Sequence, residues 1–236
     1  MCSFPETDRH NLTKYAEFYS YYMSIFQRTA NTFYYKRTER DFYMIHYFNP
    51  SDQAALSEFS KTLTILMRKH DISNRETVII CIGSDRATGD SLGPIVGHLL
   101  AMHQKNFHLY GTLENPVHAK NLEDALEFIR SNHHNPVIIA VDASLGIAEH
   151  IGFITVGEGS LSPGVGVSKN LPSVGDLFIT GIVNLSGFGG QMLLQTTRLN
   201  LVMHLADFIY RGLHRCLASE CRPIYKETTS ELRPAL

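Results

Sequence analysis

Two acids stand among three glycines in Gly83-Ser-Asp-Arg-Ala-Thr-Gly-Asp-Ser-Leu-Gly-Pro94, directly after an apolar, β-branched run. A glycine-rich loop at the end of such a run invites a nucleotide reading, and the residues refuse it. A phosphate-cradling P-loop needs a lysine after its second glycine, where this chain has Asp90 after Gly89. The spacing of Gly83, Gly89 and Gly93 is not that of a dinucleotide loop, and Asp85 and Asp90 would repel a phosphate. What remains is a carboxylate, Asp90, just ahead of a helix, where it serves either as an N-cap or as a chemical group. The second acid of interest closes another apolar run, in Val141-Asp142-Ala-Ser-Leu-Gly146. A carboxylate at the end of a buried strand is costly unless it is paired or hydrogen-bonded. Were the two runs adjacent strands, Asp90 and Asp142 would meet and titrate as a coupled pair, one of them with a raised pKa. Such a pair can activate water, and it could also hold a divalent metal.

Further polar groups follow other apolar runs. Ser162-Pro-Gly-Val-Gly-Val-Ser-Lys-Asn-Leu-Pro172 offers the backbone amides of Gly164 and Gly166 to a carbonyl or oxyanion, with Lys169 as a cation beside them. Glu114 and His118, in Leu113-Glu-Asn-Pro-Val-His118, join Asp85 as candidate substrate-binding residues, His118 being also a potential proton carrier. His133 and His134 lie in a polar turn and read as solvated. Ser144 has no histidine at nucleophile-elbow spacing, which argues against a serine hydrolase.

The elements that must position these groups read as strands alternating with helices. Leu56, Phe59, Leu63, Leu66 and Met67 recur at helical spacing after Asn49-Pro-Ser, in a helix ending near Lys69. Residues 77–82 form a run without polar alternation, the pattern of a parallel strand covered on both faces. A helix over 93–104, a strand over 109–113, a helix over 122–131 and a strand over 136–141, stopping at Asp142, come next. Strands over 152–156 and 177–183 and one long helix over 191–213 complete the domain. This predicts a three-layer α/β domain with a mostly parallel central sheet flanked by helices. Ligands of such sheets bind beyond the carboxyl ends of the strands, where Asp90, Asp142, Glu114 and His118 fall.

Residues 1–50 differ from the rest in their density of tyrosine and phenylalanine, with a helix expected at 12–28 and an extended stretch at 40–48. They read as an extension packed on the domain at 51–217, followed by a frayed tail over 218–236. The chain has 236 residues, is 44% hydrophobic and 19% charged, and carries a net charge of −2. Those values describe an ordinary globular protein without the basic footprint of a nucleic-acid or membrane-surface binder. No apolar stretch of membrane-spanning length and no signal-peptide pattern is visible, and Cys2, Cys81, Cys216 and Cys221 form no CxxC pair. A cytoplasmic location is therefore expected, with self-association into a homo-oligomer left open.

The same segments resemble the YyaC-like sporulation proteins, through 83–94, Gly111-Thr-Leu-Glu-Asn-Pro-Val-His118, 141–146, 162–169 and Gly181-Ile-Val-Asn184, over about residues 77–215. More distantly they are similar to the spore germination protease and the hydrogenase-maturation endopeptidases. Thr88-Gly-Asp-Ser-Leu-Gly-Pro94 matches the protease stretch that carries one essential aspartate, and Asp142-Ala143 matches the motif of the second. The loop Pro163-Gly-Val-Gly166 is a shortened likeness of the protease's glycine-rich loop. The resemblance implies a phosphorylase/hydrolase-like fold, a spore or forespore compartment, a protein or peptide substrate, and Asp90 and Asp142 as the catalytic pair. In the maturation endopeptidases a later histidine completes a nickel site, and no histidine follows Gly166 in the corresponding loop here. The expectation is thus a sporulation-linked peptidase without a resident cofactor. Asp90, favoured as an anion by a helix dipole, would be the base and Asp142 the acid. The alternatives are an inactive binding or regulatory protein on the same fold, or a metal-dependent hydrolase. The aromatic N-terminal segment could act as an inhibitory lid over the cleft.

Overall fold

In the computed structural model, residues 32–36, 42–103, 106–163, 171–187 and 189–220 are described. The expected helix over 12–28 and the tail beyond Glu220 lie outside them. The elements run β1 (Thr32–Lys36), β2 (Phe42–Phe48), α1 (Ala55–Lys69), β3 (Thr77–Cys81), a 3-10 turn (Gly89–Ser91) and α2 (Leu92–Ala101). Then follow β4 (His108–Tyr110), α3 (Leu122–Asn132), β5 (Val137–Gly146), a second 3-10 turn (Ala148–His150), β6 (Ile154–Glu158) and β7 (Leu177–Leu185). Two helices, α4 (Gly190–Thr196) and α5 (Leu199–Glu220), finish the series.

The described strands make a mixed seven-stranded sheet in the order β1-β2-β6-β7-β5-β3-β4. Its parallel half is β4, β3, β5 and β7, and its antiparallel half is β6, β2 and β1. The α/β reading holds, and β3 and β5, read as apolar runs, are parallel neighbours. Their continuity has a plain cause. Ile79 and Cys81 face a large core with Phe59, Leu63 and Met67 of α1, Leu92 and Val96 of α2, and Leu205 and Ile209 of α5. Val78 and Ile80 face a smaller core with Leu122, Leu126 and Ile129 of α3. A strand buried on both sides has no polar face to alternate with. The aromatic stretch at 42–48 forms β2, which pairs antiparallel with β6, with Phe48 packed edge-to-face on Phe59.

Three readings need correction. β5 does not stop at Asp142: it runs on to Gly146, because β7 continues alongside and pairs with it from Ile139 to Gly146. The long final helix is two helices. Thr197 is extended, and its hydroxyl donates to the Leu193 carbonyl at 2.8 Å and accepts from the Asn184 amide at 3.1 Å, which ends α4. The second helix reaches Glu220, where Arg68 of α1 meets it at 2.7 Å, so the ordered chain passes 218. No described helix is long and apolar enough to cross a membrane.

Candidate active site

β3 ends one residue earlier than its neighbour needs. Its last pairing is Cys81 with Val141, whereas Asp142 is paired on its other side with Thr180 of β7. Asp142 therefore stands in a notch where β3 has turned away, flanked by strand on one side and loop on the other. Alternation along β5 sends Ile139 and Val141 into the large core and Asp142 to the opposite face with Ala140. The residue is 8% exposed, and one of its carboxylate oxygens accepts the Ala143 N–H at 2.7 Å.

The loop leaving β3 is held by backbone hydrogen bonds. Ile82 N–H donates to Val141 at 2.7 Å, and Gly83 N–H donates to Val117 at 2.8 Å. The second bond draws the segment after β4 against the loop and puts His118 beside it. Gly83 has φ +139°, and a Cβ there would collide with the Asp90 carbonyl. Ser84 N–H donates to that same carbonyl at 3.1 Å, so Asp90 is folded back over the end of β3. Gly93 is needed for a different reason: a Cβ would strike the Ile82 backbone, so only glycine lets α2 start this close to β3. Asp90 is not the cap of α2. It sits within the 3-10 turn preceding that helix, with no side-chain capping bond recorded at either N-terminus. The residue at the α2 N-cap is Ser91, whose hydroxyl instead donates to Thr88 at 2.6 Å.

Asp90, Asp142 and His118 line one cavity of about 250 Å³. Its walls are largely apolar, with Leu145, Leu161, Leu171 and Leu194, and its polar groups include Ser144, Thr180 and Ser186. Beneath Asp142 the hydroxyls of Thr155 and Thr180 are 2.6 Å apart and those of Thr180 and Ser144 3.0 Å apart. Burial pushes the Asp142 carboxyl well above the usual aspartate range, and the neighbouring charge of Asp90 pushes it further, against the Ala143 amide. Burial also raises Asp90, opposed by the Ser84 amide and the charge of His118. Both acids are thus displaced upward by lost hydration, Asp142 with the Asp90 repulsion added. Asp90 caps no helix, so the helix dipole expected to favour its anion is not the dominant influence; burial raises it instead. Asp142 is the more strongly raised of the two. His118 accepts the Lys120 N–H on Nδ1 at 3.3 Å, which puts the proton of the neutral ring on Nε2.

The other named residues divide. Asp85 lines a separate surface groove with Thr88, Leu113, Leu199 and Met203, and Glu114 is exposed outside the cavity. Gly164, Gly166 and Lys169 lie outside the described residues, although Pro163 and Leu171 on either side line the cavity. Thr180 was not singled out from sequence; its signal was a lone hydroxyl in the middle of an apolar strand. β1 and β2, the described part of the aromatic segment, lie at one edge of the sheet, with β6 and β7 between them and β5. Asp90, Asp142 and His118 do not gather their donor atoms at metal-binding spacing: among the described residues, that spacing is met by Glu76, His108 and His133.

A family model described as "Protein of unknown function (DUF1256)" matches residues 47–212. The chain belongs to this family. It is 49% identical over 168 residues to the "Uncharacterized protein YyaC" of Bacillus subtilis (strain 168), which spans 71% of this chain and 81% of that relative. Among solved structures it is similar to a NiFe hydrogenase maturation protease, HycI, from Thermococcus kodakarensis KOD1. That match has 17% identity and a TM-score of 0.41, over 64% of this chain and 99% of the other. The DUF1256 stretch contains Asp90, His118 and Asp142, and it begins at Tyr47, near the end of β2.

Proposed function

We propose that this chain is a peptidase in which Asp90 and Asp142 hydrolyse a peptide bond, acting on a protein substrate in the cytoplasm of a spore-forming cell. The observation that carries the reading is a buried carboxyl group, Asp142, and a half-buried one, Asp90, lining one largely apolar-walled cavity, both with raised pKa. An acid perturbed by desolvation and a specific charged neighbour, sitting in a cleft, is a functional-site candidate. The spore setting rests on the motif resemblance at 88–94 and 142–143.

In this mechanism Asp142 enters protonated and Asp90 ionised. Water attacks the scissile carbonyl carbon and gives a proton to Asp90, while Asp142 donates its proton to the carbonyl oxygen. The tetrahedral diol then collapses: the C–N bond breaks, Asp90 passes its proton to the leaving amine, and a diol hydroxyl returns a proton to Asp142. Both acids end as they began. Activity rises with pH as Asp90 loses its proton and falls as Asp142 loses its own, a bell belonging to the coupled pair. The cavity is smaller than the usual small-molecule pocket of about 300–1,000 Å³, which suits a short stretch of chain with the remainder outside.

The test is cleavage of small, disordered, acid-soluble spore proteins by wild type and the Asp90→Asn, Asp142→Asn double variant, with and without a chelator. Cleavage by wild type alone supports the reading, and equal cleavage by both sinks it. Dependence on added divalent metal would replace the two-carboxylate mechanism with a metal-assisted one.

A further inference from the structure

At the opposite end of the parallel strands, three side chains from three elements converge. Glu76 immediately precedes β3, His108 opens β4 beside Val78, and His133 follows the last residue of α3. One donor atom from each lies within 4.8 Å of the other two. His133 was read from sequence as a solvated turn residue, yet its side chain is only 6% exposed. Its Nδ1 is 2.9 Å from a Glu76 carboxylate oxygen and its Nε2 is 2.7 Å from the Tyr110 hydroxyl. The His108 and His133 rings are 4.2 Å apart, centroid to centroid.

We infer that Glu76, His108 and His133 form a binding site for a divalent transition ion, Zn²⁺ being the class that fits, remote from the aspartate cavity. Two imidazoles and one carboxylate are a regular zinc donor set, with water completing the tetrahedron. Ligands about 2.1 Å from a tetrahedral zinc stand roughly 3.4 Å from one another. The His133–Glu76 pair is already inside that spacing, and the His108 donor lies within 4.8 Å of both. The ion would enter where the His133 Nδ1 proton now bridges to Glu76. His133 Nε2–H would then donate to the Tyr110 oxygen, the second hydrogen bond that metal-bound histidines ordinarily keep and that fixes their tautomer. Glu76, 45% exposed along its side chain, leaves the ion a path from solvent. The bound ion ties the starts of β3 and β4 to the end of α3. It is a structural site, distinct from the one that performs hydrolysis.

The experiment is a Zn²⁺ titration of the full-length chain, stripped with a chelator and dialysed, read by calorimetry and by the thermal midpoint. Wild type should bind one ion in a process that raises the midpoint, since a ligand bound only by the native state stabilises it. His108→Ala should weaken that binding at least tenfold and abolish the midpoint rise. Glu76→Gln keeps an oxygen that can accept from His133 but removes the charge, so it tests the site even if His108→Ala misfolds. Asp90→Asn with Asp142→Asn should bind Zn²⁺ as wild type does. Absence of binding in wild type, or binding lost in the aspartate variant and kept in Glu76→Gln, overturns the assignment.

Discussion

The two ends of the same parallel strands treat their ionisable groups in opposite ways. At the carboxyl ends, Asp142 is buried and Asp90 half-buried, no ion pair with a Lys or Arg holds either among the described residues, and both carboxyls are pushed up. At the amino ends, His133 has a partner on each ring nitrogen and Glu76 keeps water on one side. Similar residue types thus yield a strained pair in one place and a satisfied network in the other. The difference follows from the sheet. β3 stops short of β5 and leaves an apolar notch, whereas β3, β4 and α3 meet at the other end with their polar side chains directed at one another. Uncompensated burial is expensive and persists where something is gained from it; hydrogen-bonded side chains need no such account.

That contrast can be broken most severely at the acids. Asp142→Asn or Asp90→Asn should reduce cleavage by roughly 10²–10⁴-fold, the share general acid–base catalysis supplies. Their circular dichroism should match wild type. A residual activity near wild type in either would return that acid to a structural role. Gly83→Ala is the next largest change, because its new methyl meets the Asp90 carbonyl. A cost of about 1–3 kcal/mol by urea unfolding is expected, as for other overpacked sites, together with loss of cleavage.

A subtler effect concerns pH. Asp142 has a folded pKa above its unfolded value of about 3.9, so the native state holds that proton more tightly. The stability it contributes is fully present below the unfolded pKa and is lost as pH rises through the folded one, at about 1.4 kcal/mol per pH unit. Asp142→Asn should remove this decline and be more stable than wild type at pH 7, measured as urea midpoints across pH 3–8. A variant that is less stable at pH 7 would mean the carboxylate has a partner that compensates its charge. At the other end the effect is smallest and of opposite sign. Tyr110→Phe should cost about 0.5–1.5 kcal/mol, the net value of one hydrogen bond to His133. No loss there would show that water replaces the hydroxyl freely and that the network is less closed than its distances imply.

Periodicity and residue type determined a good deal by themselves. The apolar runs at 77–82 and 136–141 read as strands and the spacing of Phe59, Leu63 and Met67 as a helix facing a core, and both readings hold. These are local consequences of side-chain spacing, which a strand or helix converts directly into a face. Asp90 and Asp142 were legible because each follows such a run. The remaining features depended on contacts between distant segments. The extension of β5 past Asp142 came from the β7 ladder, and the break at Thr197 from hydrogen bonds with Leu193 and Asn184. The arrival of His118 at the cavity depended on one bond between Gly83 and Val117, and the burial of His133 on Glu76 and Tyr110. Neither histidine carries a periodic signal. Which residues line the site and which acid is raised further were decided by tertiary structure, because hydration and Coulomb energy depend on distance in space, which sequence separation does not encode.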